Sequence, residues 1–580
     1  MTPRWRYRFV VGLIWFAVFA AAVTGWLYAR SSGPAYGPVI VISIESLRAD
    51  HLPVYGYTGV RTPAIDGLAA DSVVFDRAYA HSPLTLPSHI SLLSGLLPFQ
   101  HGVRDEAGFS LPPAVSLLPQ WLHRRGFKTG GVVSSCLLRE ETGLGPAFGF
   151  FDDDPGGGGT ADADLACGRD GAESLTVAEH WIESIGTARF FLFLHIDAPT
   201  SPAAVPGRPA RVSPYDTRIA YADEVVGRLV AFLKKRGLYS GGILVLTSDH
   251  GEGLGDHGEA GHGLFLYEAA VRTPLIVKLP RRDGGGRHSA ALVQQIDIAP
   301  TILDLVGAPR PSGLGGRSLR RLLDSATTTI PDRQVYAESL EPRDLFGWSE
   351  TESLTNGRYR YIRSSRPELY DLAQDPKERV NLVGSDPKTA QEMRAALEAL
   401  AGQSPMPVPS AVAEPDRARL AVLGYVTGLP GVAPDIPGDQ LPDPKGLVAV
   451  SNHYVDASRL AAQGQADAAI DAFRTVVADA PSLAAGWDRL AGLLVARGRF
   501  KEAGDALTSL LKLYPEDGRA AEADRRLQTL LGPAPTADQF AMAAAVWMSL
   551  GEKARASDVR SAARKAVGDA AVRKAEAALK

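Results

Sequence analysis

Five short apolar runs punctuate the first half of the chain: residues 39–44 (VIVISI), 131–134 (GVVS), 190–194 (FFLFL), 243–246 (ILVL) and 275–277 (LIV). Their hydrophobic positions are consecutive rather than alternating, as in strands buried on both faces. Between them, residues 176–185 and 221–233 carry apolar side chains at a spacing near 3.6, the helical period. Strands alternating with helices predict an α/β domain built on a mostly parallel sheet, with helices on both faces. Farther on, TESLT (351–355) and RYRYI (358–362) flank Asn356-Gly357, a hairpin signal that adds a small antiparallel subdomain. Residues 152–159 (DDDPGGGG) read as an acidic, glycine-rich loop.

Two regions depart from this alternation. Residues 9–28 (FVVGLIWFAVFAAAVTGWLY) are uncharged, long enough to span a bilayer as a helix, and preceded by Arg4, Arg6 and Arg8. They predict a single-pass signal anchor with residues 1–8 inside, Trp26 and Tyr28 at the outer interface, and everything beyond on the periplasmic or extracellular side. A cleaved signal peptide ending near Ala20-Ala21-Ala22 is the alternative, although the apolar run continues past it. After a 29–37 linker, the main domain is expected over 38–402, followed by a Pro-rich linker over 403–444. In the Ala-rich remainder, 445–580, Gly464, Ala469, Ala472 and Pro481 recur 34 positions later as Gly498, Ala503, Ala506 and Pro515. That is the tetratricopeptide period of two packed helices, with a poorer third unit around Gly551 and Ala556. Such a stack predicts a protein partner or self-association.

At 580 residues the chain exceeds one core, and a formal net charge of -4 gives no basic surface for nucleic acid. Two cysteines, Cys136 and Cys167, exclude a disulfide framework and a Cys-based zinc site, and are compatible with one bridge in an exported domain. Candidate chemistry gathers at strand ends. The 243–246 run opens into TSDHGEGLGDHGEAGHG (247–263), which offers Asp249, His250, His257 and His262 among glycines. A polar turn explains an Asp-His-Gly step, but three imidazoles point to metal binding or proton transfer. Glu45 ends the first strand. Thr85 precedes a Pro-started helix, where backbone N–H groups favour an attacking alkoxide and an anionic substrate; an ordinary N-cap is the alternative.

The ordered motifs ESLRADH, TLPSHISLLSGLLPFQHGVR, TSDHGEGLGDHGE and YEAAVRTPLIV resemble the sulfatase family of the alkaline phosphatase superfamily, as do QIDIAPTILDL and ELYDLAQDP. The resemblance covers about residues 38–385 and implies an alkaline phosphatase-like fold. An N-terminal anchor with C-terminal tetratricopeptide repeats is similar to a familiar bacterial arrangement. The chain departs from sulfatases proper where they carry Cys or Ser, matured to formylglycine: it has Thr85-Leu-Pro-Ser-His89, and threonine cannot be so converted. Glu45 stands where Asp is usual, and Ala198 and Thr200 replace the Asp and second His expected after His195. Lipoteichoic acid synthases and phosphoethanolamine transferases of the same superfamily use a Glu, Thr, Asp, His set around one metal. Glu45, Thr85, Asp249 and His250 fall on those positions in order, and His262 follows His250 by twelve, as a further His does in the transferases.

The resemblance implies a metal-dependent hydrolase of sulfuric or phosphoric esters with Thr85 as nucleophile and a covalent ester intermediate. The ligand types suit one Mn²⁺, Zn²⁺ or Ca²⁺ ion. His262 is the expected proton donor or anion contact; Arg48, His89 and Arg104 are candidate oxyanion partners, and His195 a candidate substrate contact. His257 is expected only to structure the loop. Two alternatives stay open: a phospho-group transferase acting on envelope glycans or lipids, and an impaired relative that serves as an interaction protein through its repeats.

Overall fold

The structure is a computed structural model that describes Trp15 and residues 37–154, 168–197, 213–324, 333–402, 410 and 436–579. The predicted anchor (save Trp15), Cys167, Ala198, Thr200 and most of the Pro-rich stretch lie outside the described residues. Among the described residues, no helix is long and apolar enough to cross a membrane.

Eight strands form the central sheet: β1 (Val39–Ile44), β2 (Val73–Tyr79), β3 (Lys128–Val132), β4 (Phe150–Asp152), β5 (Phe190–Ile196), β6 (Ile243–Ser248), β7 (Arg272–Lys278) and β8 (Arg287–Gln294). Their order is β4-β3-β5-β1-β6-β7-β2-β8, and β7 alone runs against the rest. The continuous apolar runs are buried on both faces. Val39 and Val41 of β1 enter one core with Leu86, Ile90 and Leu92; Ile40, Ile42 and Ile44 enter the other with Leu175, Ile182, Val226 and Leu229. The first of these cores is covered by α1 (Thr85–Ser94), the second by α2 (Gly171–Ser184) and α3 (Pro214–Lys235). Fully burying one such aliphatic side chain is worth about 1.5–3 kcal/mol, so the sheet gives its ends a rigid base.

The Asn356-Gly357 hairpin joins β10 (Thr351–Thr355) to β11 (Tyr359–Arg363) in a second, antiparallel sheet with β9 (Val335–Ser339) and β12 (Glu368–Asp371). Buried ion pairs tie it to the main body: Arg104 grips Glu338 through two 2.6 Å bonds, and Arg360 lies between Glu268 and Glu378. Cys136 is disulfide-bonded.

The C-terminal region is helical. α4 (Val448–Ala462), α5 (Ala466–Asp479), α6 (Ala484–Ala496) and α7 (Phe500–Lys512) pack each on the next, and further helices continue to Leu579. Gly464 and Gly498 both take left-handed φ, +73° and +71°, in the turns before α5 and α7, and the Ala469 and Ala503 that follow are fully buried. This stack docks on the α/β body: Val450, Tyr454 and Ala457 of α4 share one apolar cluster with Leu264, Phe265, Tyr267, Phe346 and Trp348.

Candidate active site

Register brings the site together. β1 lies between β5 and β6, pairing Ser43 with both His195 and Thr247, and Ile44 with Ser248. Glu45, His195, Asp249 and His250 therefore meet where these neighbouring strands end. α1 begins at Thr85 itself, two residues ahead of Pro87. The Thr85 hydroxyl donates to Glu45 Oε1 at 2.8 Å and lies 3.4 Å from His250 Nε2. His250 Nε2 is 3.3 Å from Asp249 Oδ2 and 3.9 Å from Glu45 Oε1.

The donor set fits a cation. His250 Nδ1 lies 2.8 Å from the Gly251 carbonyl oxygen, to which it can only donate, and burial pushes this histidine down to about 4. Its Nε2 is then a bare lone pair facing Asp249 Oδ2, a buried oxygen without a hydrogen-bond partner. Two acceptors face each other with no proton between them. Burial, together with the Asp249 and Asp197 carboxylates, also pushes Glu45 well above the usual carboxylate range. A divalent ion relieves both conflicts, and ligand atoms of Glu45, Asp249 and His250 lie within 4.8 Å of one another, as do those of His89, His195 and Asp249.

The other sequence candidates lie around this set in different ways. His262 faces it, its ring centroid 4.4 Å from that of His250, and is partly open to solvent. Burial works against charge on His262, but Glu252, 3.2 Å from Nδ1, outweighs it with help from Glu45 and Glu341 and pushes it up to about 10. His195 is fully buried beneath Glu45, with Nε2 2.8 Å from Oε2. His89 bridges the Thr85 carbonyl and Ser43 Oγ at 2.7 and 2.9 Å. Arg48 does not point at the ligand set. Its guanidinium bonds Asp50, Asp256 and the Glu252 and Gly253 carbonyls, bracing the loop. Arg104 is held by Glu338 between the two sheets. His257 stacks on Tyr267 at 3.5 Å.

Three residues of consequence escape a reading of the sequence. Glu252 orients His262 from within the same motif, two positions after His250. Glu106 takes the N-terminus of α1: its carboxylate accepts from the Thr85 N–H and, at 3.1 Å, from the Leu86 N–H. Asn452, from α4, bonds the loop just before His262. Proximity to H-G-V-R could have flagged Glu106, whereas nothing local marks Asn452.

Residues 38–308 match the sulfatase family, and residues 255–403 match the C-terminal region of N-sulphoglucosamine sulphohydrolase. Similar proteins include an N-acetylglucosamine-6-O-sulfatase of Bacteroides thetaiotaomicron (32% identity; 29% of this chain, 31% of that one) and arylsulfatase K of Xenopus laevis (29% identity; 31% and 35%). A multifunctional alkaline phosphatase superfamily protein of Trinickia caryophylli is 30% identical over 30% of this chain and 37% of its own. The matches thus span about a third of the length of these curated relatives. Solved structures align far more fully. One is in complex with its substrate D-glucosamine-2-N,6-O-disulfate (TM-score 0.54, 19% identity, 64% of this chain and 98% of that one). Another is the phosphonate monoester hydrolase of Agrobacterium radiobacter (TM-score 0.53, 20% identity, 63% and 96%). At such identities the likeness establishes the fold. Strand-end chemistry, sheet order and the match over 38–308 agree in making this domain similar to the sulfatase family, with an alkaline phosphatase superfamily protein among its relatives.

Proposed function

We propose that the protein is a metal-dependent hydrolase of sulfuric or phosphoric esters that uses Thr85 as its nucleophile. The observation that carries this reading is the convergence of Thr85 Oγ1, Glu45 Oε1, His250 Nε2 and the unpartnered Asp249 Oδ2. These four residues would hold one Mn²⁺, Zn²⁺ or Ca²⁺ ion, and formylglycine has no precursor at position 85. A divalent ion bound there supplies acidification of the hydroxyl and compensation of the substrate's negative charge. Thr85 Oγ1 attacks sulfur or phosphorus, forming a covalent ester on Thr85 as the bond to the leaving oxygen breaks. Its proton already points at Glu45 Oε1. His262, charged and on the open side, donates a proton to the leaving alcohol, and Glu252 holds its ring in place. Water then attacks the same sulfur or phosphorus, giving a proton to the now neutral His262 as the bond to Thr85 Oγ1 breaks, and the hydroxyl proton returns to Thr85 from Glu45.

An acceptor hydroxyl in place of water would make the enzyme a transferase acting on envelope glycans or lipids. The combination of threonine with His262 twelve residues after His250 favours this second reading. The 9–28 run and its arginine flank support a single-pass anchor with the hydrolase domain outside, and the disulfide at Cys136 suits an oxidising compartment. The C-terminal helices, with their 34-residue recurrence, support a tetratricopeptide stack that binds a protein partner or a second copy.

The test is turnover of p-nitrophenyl sulfate and phosphate by full-length protein in detergent, alongside elemental analysis. One divalent ion per chain is expected, with activity lost in Thr85→Ala by at least about three orders of magnitude. Protein free of divalent metal and inert toward both esters would retire the enzymatic reading.

A further inference from the structure

The loop that carries His262 is nearly half glycine, at 251, 253, 255, 258, 261 and 263. Fixing such backbone costs about 1–2 kcal/mol per residue, so its order must come from bonds at defined points. The first half is held by the α/β body. Gly251 and Glu252 donate to the Ala270 and Ala269 carbonyls, and Arg48 grips the Glu252 and Gly253 carbonyls and Asp256. Two internal bonds, Gly253 N–H to Gly261 O and Gly255 N–H to Glu259 O, fold the arc back on itself.

The arc at 258–260, just before His262, has turn bonds of its own (Gly258 N–H to Gly255 O, Glu259 N–H to Asp256 O) and Glu259 accepts from Leu264 N–H; its remaining bonds come from the other domain. Asn452 Nδ2 donates to Gly258 O at 2.7 Å, and Asn452 Oδ1 accepts from Ala260 N–H at 3.0 Å. One amide thus pairs with two backbone groups as a neighbouring strand would. One turn earlier on α4, Val448 covers Gly258 so closely that a Cβ there would lie 3.2 Å from Val448 Cγ1. Val450 and Tyr454 continue the contact onto Leu264, Phe265 and Tyr267. The four proposed metal-binding residues depend on none of this, since they hang from β1, β6 and α1.

We infer that Asn452 is a positioning residue for the His262 loop, so that the first helix of the C-terminal domain completes the active site of the body it docks on. The inference rests on the reading of His262 as proton donor for its catalytic consequence, but not for the loop geometry. Removing the amide loosens the 258–260 arc, leaving it only the loop's own bonds, and lets His262 drift from His250 and the leaving oxygen, while the metal-binding groups stay in place.

Full-length wild type, Asn452→Ala and Asn452→Asp are compared by amide hydrogen exchange, metal content and turnover of phenyl and p-nitrophenyl esters. In Asn452→Ala, exchange over 258–263 accelerates, bound metal is unchanged, and kcat for the phenyl ester falls about 10- to 100-fold. The p-nitrophenyl ester, whose leaving group needs little protonation, loses far less; a general loss of stability would lower both alike. Asn452→Asp, which still accepts from Ala260 but cannot donate to Gly258, falls between. Unchanged exchange over 258–263 in Asn452→Ala overturns the inference, and faster exchange with equal losses on the two esters overturns its catalytic consequence. Exchange decides the positioning by itself, so a wild type inert toward both esters would sink the function proposed above and leave the role of Asn452 in the loop standing.

Discussion

Thr85 gives its hydroxyl hydrogen to Glu45 while its backbone N–H and that of Leu86 are taken by Glu106. The N-terminus of α1, where an anionic substrate oxygen would otherwise settle, is thus filled by a carboxyl group of the chain itself. Burial pushes Glu106 well above the ordinary carboxylate range, so its neutral form, which does not repel the substrate, persists to higher pH than that of an exposed glutamate. As pH rises and Glu106 ionises, KM for an anionic aryl ester is expected to climb. Glu106→Gln keeps an oxygen for both N–H groups and should lose that climb; parallel KM profiles in the two proteins would rule the idea out. At this scale, Glu45, Thr85, Asp249 and His250 were legible as candidates because each sits where an apolar run stops or a helix begins. Arg48 and Arg104 were not, because their partners Asp256 and Glu338 are some two hundred positions away in sequence.

Among elements, the 251–263 loop responds most sharply to its glycines, and two of them separate packing from backbone preference. A Cβ at Gly251 would run into the Ala269 carbonyl oxygen, so Gly251→Ala must displace the loop from β7's approach. Gly255 has φ +91° and open space around its Cβ position, so Gly255→Ala meets only the left-handed penalty of about 1–2 kcal/mol. The expected result is loss of turnover and a clearly lowered Tm for Gly251→Ala, against a small Tm change for Gly255→Ala. Equal effects would mean that the close approach to Ala269 does not matter. β1, β5 and β6 could be read from sequence because burial on both faces demands unbroken apolar runs. β2 and β8 could not, since Asp76, Arg77, Arg287 and His288 interrupt them at the sheet's far edge, and the reversal of β7 leaves no trace in its composition.

For the molecule as a whole, stability carries a pH dependence set by buried acids. Burial pushes Glu259 and Asp344 up to about 8, Asp344 with help from Asp105, and pushes Asp105 itself up to about 7. The unfolded chain ionises such groups near about 4, so between there and pH 8 the folded state holds more protons and stability falls as pH rises. His81 and His101, pushed down by burial to about 4 and about 3, act with the opposite sign below about 6.5, where unfolded histidine protonates. Tm is therefore expected to decline between pH 6.5 and 8, less steeply in Glu259→Gln, as thermal melts across that window would show; an equally steep decline in the variant would clear Glu259 of the effect. The division into an α/β body and a helical tail was legible from the change in periodicity and the 34-residue recurrence. Their docking was not, because Asn452 and Tyr454 look like ordinary positions on an amphipathic helix until the loop they meet is in view.

One consequence of the sheet order concerns ion size. Glu45 and Asp249 extend from β1 and β6, adjacent parallel strands matched at Ile44 and Ser248. Peptide hydrogen bonding sets the spacing of such strands at about 4.8 Å, a length that side-chain substitution elsewhere scarcely alters. If these residues hold an ion as proposed, the two carboxylates would extend from backbones of fixed separation, and accommodation of a larger or smaller ion would fall to their rotamers and to Thr85, which rides on a helix instead of a strand.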